Sequence, residues 1–130
     1  MTIINAIKEF LSDEGLGTAG TDLFVGELPL ESRDAFAIVA AISPEPDKAI
    51  PYYLQTFDIW ARYAKYNDGY QKLQDIFDLL HRKAGYEMNG YYVYLSYSQD
   101  MIQDLGRDSE RGHLFKASFS FKYRVSDQSS

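Results

Sequence analysis

A chain of 130 residues with 45% apolar content is most simply one packed domain, here residues 1–130 with a polar tail at 126–130. It has no Cys, which excludes disulfides and thiolate chemistry. The formal charge of −6 argues against specific nucleic-acid binding, which needs a basic footprint. The 11 Tyr and 8 Phe favour a strand-rich fold with extensive aromatic packing. No apolar run approaches the roughly 20 residues needed to span a membrane. Asn5, Lys8 and Glu9 break up the apolar residues at the N-terminus, so no signal peptide is expected.

Residues 3–11 place Ile4, Ile7, Phe10 and Leu11 on one side, which predicts a short amphipathic helix with Thr2 as its cap. Three glycines and two acids in residues 12–20 predict a connecting loop. DLFVGEL, at 22–28, reads as a strand ended by Pro29, and 30–34 as a polar turn. AFAIVAAI, at 35–42, is a continuous apolar run of strand length. SPEPDKAIP, at 43–51, has three prolines in nine residues and predicts an extended loop, because proline fixes φ and removes an amide donor. Residues 52–63 alternate, with Tyr53, Gln55, Phe57, Ile59 and Ala61 on one face. Leu54, Thr56, Asp58, Trp60 and Arg62 share the other.

The strongest helical pattern is DGYQKLQDIFDLLHRKAG at 68–85. Tyr70, Leu73, Ile76, Phe77, Leu80 and Ala84 recur at spacings of three and four and so form one stripe. Asn67 or Asp68 is the expected cap, Gly85 the expected stop, and His81, Arg82 and Lys83 suit the negative end of the dipole. GYYVYLSYS, at 90–98, reads as a strand with Tyr91, Val93, Leu95 and Tyr97 on one face. A polar connection, 100–113, leads to the clearest alternation in the chain, 114–125. There Phe115, Ala117, Phe119, Phe121 and Tyr123 point inward. The expected architecture is α+β: a single, largely antiparallel and possibly mixed β-sheet of about five strands, with two helices packed on one face. The first three strands should form a meander, the last two a hairpin with a long connection.

Chemistry-bearing motifs are sparse. His81 and His113 stand in no metal-ligand spacing, and GLGTAG at 15–20 lacks the Lys-Ser/Thr ending of a phosphate loop. Ser43, Ser96 and Ser98 have no nucleophile-elbow context. The charges around Asp104 and Asp108 read as a salt-bridged loop or a contact surface. The expectation is no enzyme activity, no cofactor and no metal. Two features exceed what a solvated domain needs: the proline-rich loop with Glu45, Asp47 and Lys48, and the charged connection with Asp104, Arg107, Asp108, Glu110 and Arg111.

Taken together, FVGELP (24–29), PEPDKAIPYYLQTFDIWAR (44–62), DGYQKLQDIFDLLHRK (68–83), YYVYLS (91–96) and IQDLGRDSERGHLFKASFSFKYR (102–124) carry a family resemblance. In this order, the segments resemble the minor capsid and tail-terminator (tail-completion) proteins of long-tailed bacteriophages. Related minor capsid sequences often carry a glycine pair after the second strand, where this chain has Ile42 and Ser43. The resemblance implies a structural virion protein of the tail and neck, assembled in the bacterial host cytoplasm. It implies a homo-oligomeric, typically hexameric, ring that caps the tail tube, stops its polymerisation and offers a head–tail joining surface. Its partners would be the tail tube protein and a neck or head-completion protein, with no membrane. The interface would draw on Glu45, Asp47, Lys48, Trp60, Arg62, Asp104, Arg107, Asp108, Glu110 and Arg111. A head-completion connector of the neck is the alternative within the virion, and a small-molecule-binding α+β sensor domain the alternative from another class.

Overall fold

A computed structural model describes residues 2–29, 34–46, 52–98, 101–107 and 112–126, with the backbone alone at 42–46. Nine elements follow one another: α1 (Ile3–Asp13), β1 (Leu23–Val25), β2 (Ala35–Pro46), β3 (Tyr53–Tyr63), α2 (Tyr66–Leu80), β4 (Lys83–Met88), β5 (Tyr91–Ser98), β6 (Gln103–Arg107) and β7 (His113–Val125). The class is α+β, but the sheet is larger than expected: seven strands in the order β1-β2-β3-β7-β5-β4, with β6 also pairing β7. It is mixed, because β1 runs parallel to β2 while the other pairs are antiparallel. The expected three-strand meander therefore holds only for β2 and β3. No helix among the described residues is long and apolar enough to cross a membrane.

Both helices lie on one face of the sheet, as expected. Ile7 and Leu11 of α1 and Leu73, Ile76 and Leu80 of α2 join Phe36, Ile38, Phe57, Ile59, Phe115, Phe119 and Phe121 in one buried cluster. Thr2 caps α1, its Oγ1 accepting from the Asn5 amide at 3.4 Å. The inward set on β7 is as the alternation predicts: Phe115, Ala117, Phe119, Phe121 and Tyr123 are all buried.

The end of α2 departs from the periodicity. The helix starts at Tyr66 behind Lys65, without a side-chain cap from Asn67 or Asp68, and stops at Leu80. Arg82 turns the chain at φ +58°, and Lys83–Met88 pairs with β5 as a strand. Gly85, at φ +65°, therefore lies inside β4 rather than closing a helix. Three hydrogen bonds secure this exit. The Ser96 hydroxyl donates to the Leu80 carbonyl at 2.7 Å and lies 2.7 Å from the Tyr86 hydroxyl. The Ser98 amide donates to His81 Nδ1 at 3.0 Å. Tyr70 and Phe77 sit at the margin of the helical stripe, and Tyr70 is exposed.

β5 carries a second departure. Its register with β7 shifts between Val93 and Leu95, leaving Tyr94 without a partner on β7. A bulge reverses the facing of every later residue. Leu95 pairs with outward Lys122 and Ser96 with buried Phe121, so Leu95 and Tyr97 do not share the face of Val93. β2 also runs beyond its apolar stretch to Pro46, with register shifts after Ala40 and after Ile42. The first part of the expected proline-rich loop is thus strand.

Candidate partner-binding surface

Both helices cover one face of the sheet, and among the described residues the other face carries no helical layer. The central ladder of that open face runs along β3 and β7, where Trp60 opposes Lys116, Asp58 opposes Ser118, Thr56 opposes Ser120 and Leu54 opposes Lys122. Its polar groups are paired within the face. Lys116 Nζ lies 5.4 Å from the Trp60 ring centroid and 3.9 Å from Asp58 Oδ2. Ser118 Oγ donates to Asp58 Oδ1 at 2.6 Å, and the Thr56 and Ser120 hydroxyls lie 2.9 Å apart. Thr56 and Ser120 are buried at the middle of the ladder, while Trp60, Asp58, Lys116 and Lys122 are half-buried, with Trp60 held by the cation over its ring.

At the far end of this face stand Tyr52, Tyr92 and Tyr94, with ring centroids 5.9 Å apart for Tyr52 and Tyr94 and 5.1 Å for Tyr92 and Tyr94. Arg124 lies 5.0 Å over the Tyr92 ring. Tyrosine and arginine are the residue types that anchor protein interfaces, combining large apolar area with a polar tip. Alternation along β5 already puts Tyr92 and Tyr94 on one face; what sequence reasoning missed is the approach of Tyr52 and Arg124, which come from other parts of the chain.

The second exposed region lies on the helical side. Tyr66, Tyr70, Met101 and Leu105 are all large, apolar and exposed, Met101 at 78%. Tyr70, Gln74, Phe77, Met101 and Ile102 line a cavity of about 150 Å³ between α2 and the segment before β6. The Tyr66 hydroxyl is pushed above its ordinary pKa by desolvation and by nearby Asp104. β6 is exposed throughout and bends at a register shift between Asp104 and Arg107, where Asp104 Oδ1 accepts from the Gly106 amide at 2.8 Å.

The structure places the sequence-based candidates apart. Trp60 is on the open face. Arg62 is also on that face but is 5% exposed and donates to the Pro29 carbonyl at 2.8 Å, so it ties the strand to the 26–29 segment. Asp104 and Arg107 belong to exposed β6, where a polar loop was expected. Glu45 pairs with Leu54 at the end of β2. Asp47, Lys48, Asp108, Glu110 and Arg111 lie outside the described residues. Deeper in the core, the Tyr63 hydroxyl is buried without a hydrogen-bond partner among the described residues. Burial first, and then Asp22, Asp34 and Asp68, push its pKa far up.

A profile of the bacteriophage tail terminator protein matches residues 10–125. The chain belongs to the bacteriophage tail terminator family. It is accordingly a structural protein of the phage tail. The fold is similar to that of a chain in the virion of a native gene transfer agent particle, with a TM-score of 0.56 and 10% sequence identity, over 80% of this chain and 79% of that one. No curated protein matches the sequence.

Proposed function

We propose that this tail terminator is a subunit of a hexameric ring that seats on the end of the assembled tail tube in the virion. There it stops polymerisation and presents a joining surface to the neck proteins of the head. The observation that carries the reading is the family match over nearly the whole chain, 10–125. The fold likeness to a virion chain of a gene transfer agent agrees with a place in the particle. Two chemically different regions on opposite sides of the sheet, one half-buried and one exposed, suit a ring, because a cyclic assembly beyond a dimer joins unlike patches. The role is structural, without catalysis or cofactor. The cavity beside α2, at about 150 Å³, is smaller than the roughly 300–1,000 Å³ of small-molecule sites, which disfavours a sensor role. The test is to add the purified protein to polymerising tail tube subunits. Arrested tubes, each carrying a ring at one end, are expected; tubes that continue to lengthen with no protein at their ends would contradict the proposal.

A further inference from the structure

Two surfaces of the molecule complement each other. On the helical side, the apolar cavity is lined by Tyr70, Gln74 and Phe77 of α2, and the same helix carries a row of carboxylates. Asp68, Asp75 and Asp78 are exposed along that row, and Gln71 and Gln74 donate to Asp75 and Asp78 at 2.8 and 2.9 Å. Such a site suits an aromatic side chain flanked by cations. The open sheet face provides one: Tyr94 is 37% exposed, next to Tyr92 with Arg124 over its ring, and Lys122 faces outward between Leu54 and Leu95. The two surfaces lie on opposite faces of one sheet, so a single molecule cannot join them to each other.

We infer that the subunit–subunit contact seats the Tyr92–Tyr94–Arg124–Lys122 end of the open sheet face of one copy against the cavity and carboxylate stripe of α2 in the next. This rests on the ring proposed above and identifies its two unlike patches. The charge pattern favours a second copy as occupant, since this chain presents both an α2 row whose three carboxylates outnumber Lys72 and a tyrosine cluster whose Lys122 and Arg124 outnumber the neighbouring Glu87. The contact is heterologous, so repetition either closes a ring or extends a filament. Its charges act chiefly on approach and register, while the tyrosines supply the buried area.

The test is self-association of the full chain by sedimentation velocity over a concentration series, alone and with assembled tail tubes. Reversing Lys122→Glu with Arg124→Glu, or Asp75→Lys with Asp78→Lys, should weaken association about tenfold or more, because like charges then meet across the contact. Mixing the two variants pairs the reversed sheet face of one with the reversed helix of the other and should restore hetero-association. Thermal melts of each variant separate loss of contact from loss of fold. If the wild-type chain forms rings and either reversal leaves them unchanged, or the mixed variants fail to recover, these patches are not the interface, although the ring reading stands. A wild-type chain that stays monomeric both alone and on tubes overturns the inference and the ring together.

Discussion

At Gly69, α2 lies close against Phe115 of β7. A Cβ built there would stand 2.7 Å from Phe115 Cε2 and 3.1 Å from Tyr63 Cβ, inside ordinary contact distance. Gly69→Ala would improve helix propensity by up to about 1 kcal/mol, yet overpacking a fixed aromatic core costs about 1–3 kcal/mol. Net destabilisation is therefore expected in urea unfolding. Phe119 is completely buried, so Phe119→Ala should cost about 3–5 kcal/mol in the same measurement. The sequence alternation identified Phe119 correctly. It did not reveal Gly69, because a glycine in a helix leaves no apolar signal and its role depends on how closely another strand approaches. Phe77 also fell on the apolar stripe, but it is only partly buried, stacked on His81 with centroids 4.5 Å apart.

Tyrosine burial sets an alkaline limit on stability. Burial pushes Tyr86 up to about 12, with the Ser96 hydrogen bond pulling the other way. Burial, aided by Tyr91 and Tyr53, also pushes Tyr123 up to about 12. A tyrosine whose pKa is raised in the folded chain stays protonated there while the unfolded chain loses its proton near the ordinary value of 10. Above that point the folded state binds more protons, so stability falls as pH rises. Equilibrium unfolding should therefore be insensitive to tyrosine ionisation below about pH 10 and weaken steadily between about pH 10 and 12.

Among the elements, the strands with strict alternation and the apolar stripe of the helix core were legible, and the joints were not. The 68–85 stretch keeps helical spacing through Ala84, but sheet pairing of 83–88 with β5 overrides it. A short stretch gains more by completing a ladder and burying Met88 than by adding a turn to a helix end. The junction depends on Ser96. Ser96→Ala removes a donor from the Leu80 carbonyl and a partner from Tyr86, leaving buried polar groups unsatisfied, and should cost about 1–3 kcal/mol in thermal or chemical unfolding. β6 was read as part of a polar connection because none of its five residues is buried. Exposure has a consequence here: reversing Arg107→Glu should change folding stability by no more than about 0.5 kcal/mol, as a melting curve would show. Glu45 belongs to a strand end for a related reason, since proline at an edge or bulge of β2 is compatible with pairing where it is not in a central ladder.

At the scale of the molecule, the family resemblance carried in the order of segments agrees with the match over 10–125. The candidate surface was legible only in part. Trp60, one of the sequence candidates, lies on the open face, but the approach of Tyr52 to Tyr94, of Arg124 to Tyr92 and of residues 101–102 to α2 joins segments far apart in the chain. No local pattern encodes such neighbours. The central claim is that this chain ends tail growth, and the most direct measurement is tail length in electron micrographs of a phage from which its gene has been removed. The account predicts tubes well beyond the normal length and unattached to heads, with normal tails restored when the gene is supplied. Tails of normal length joined to heads in its absence would contradict it.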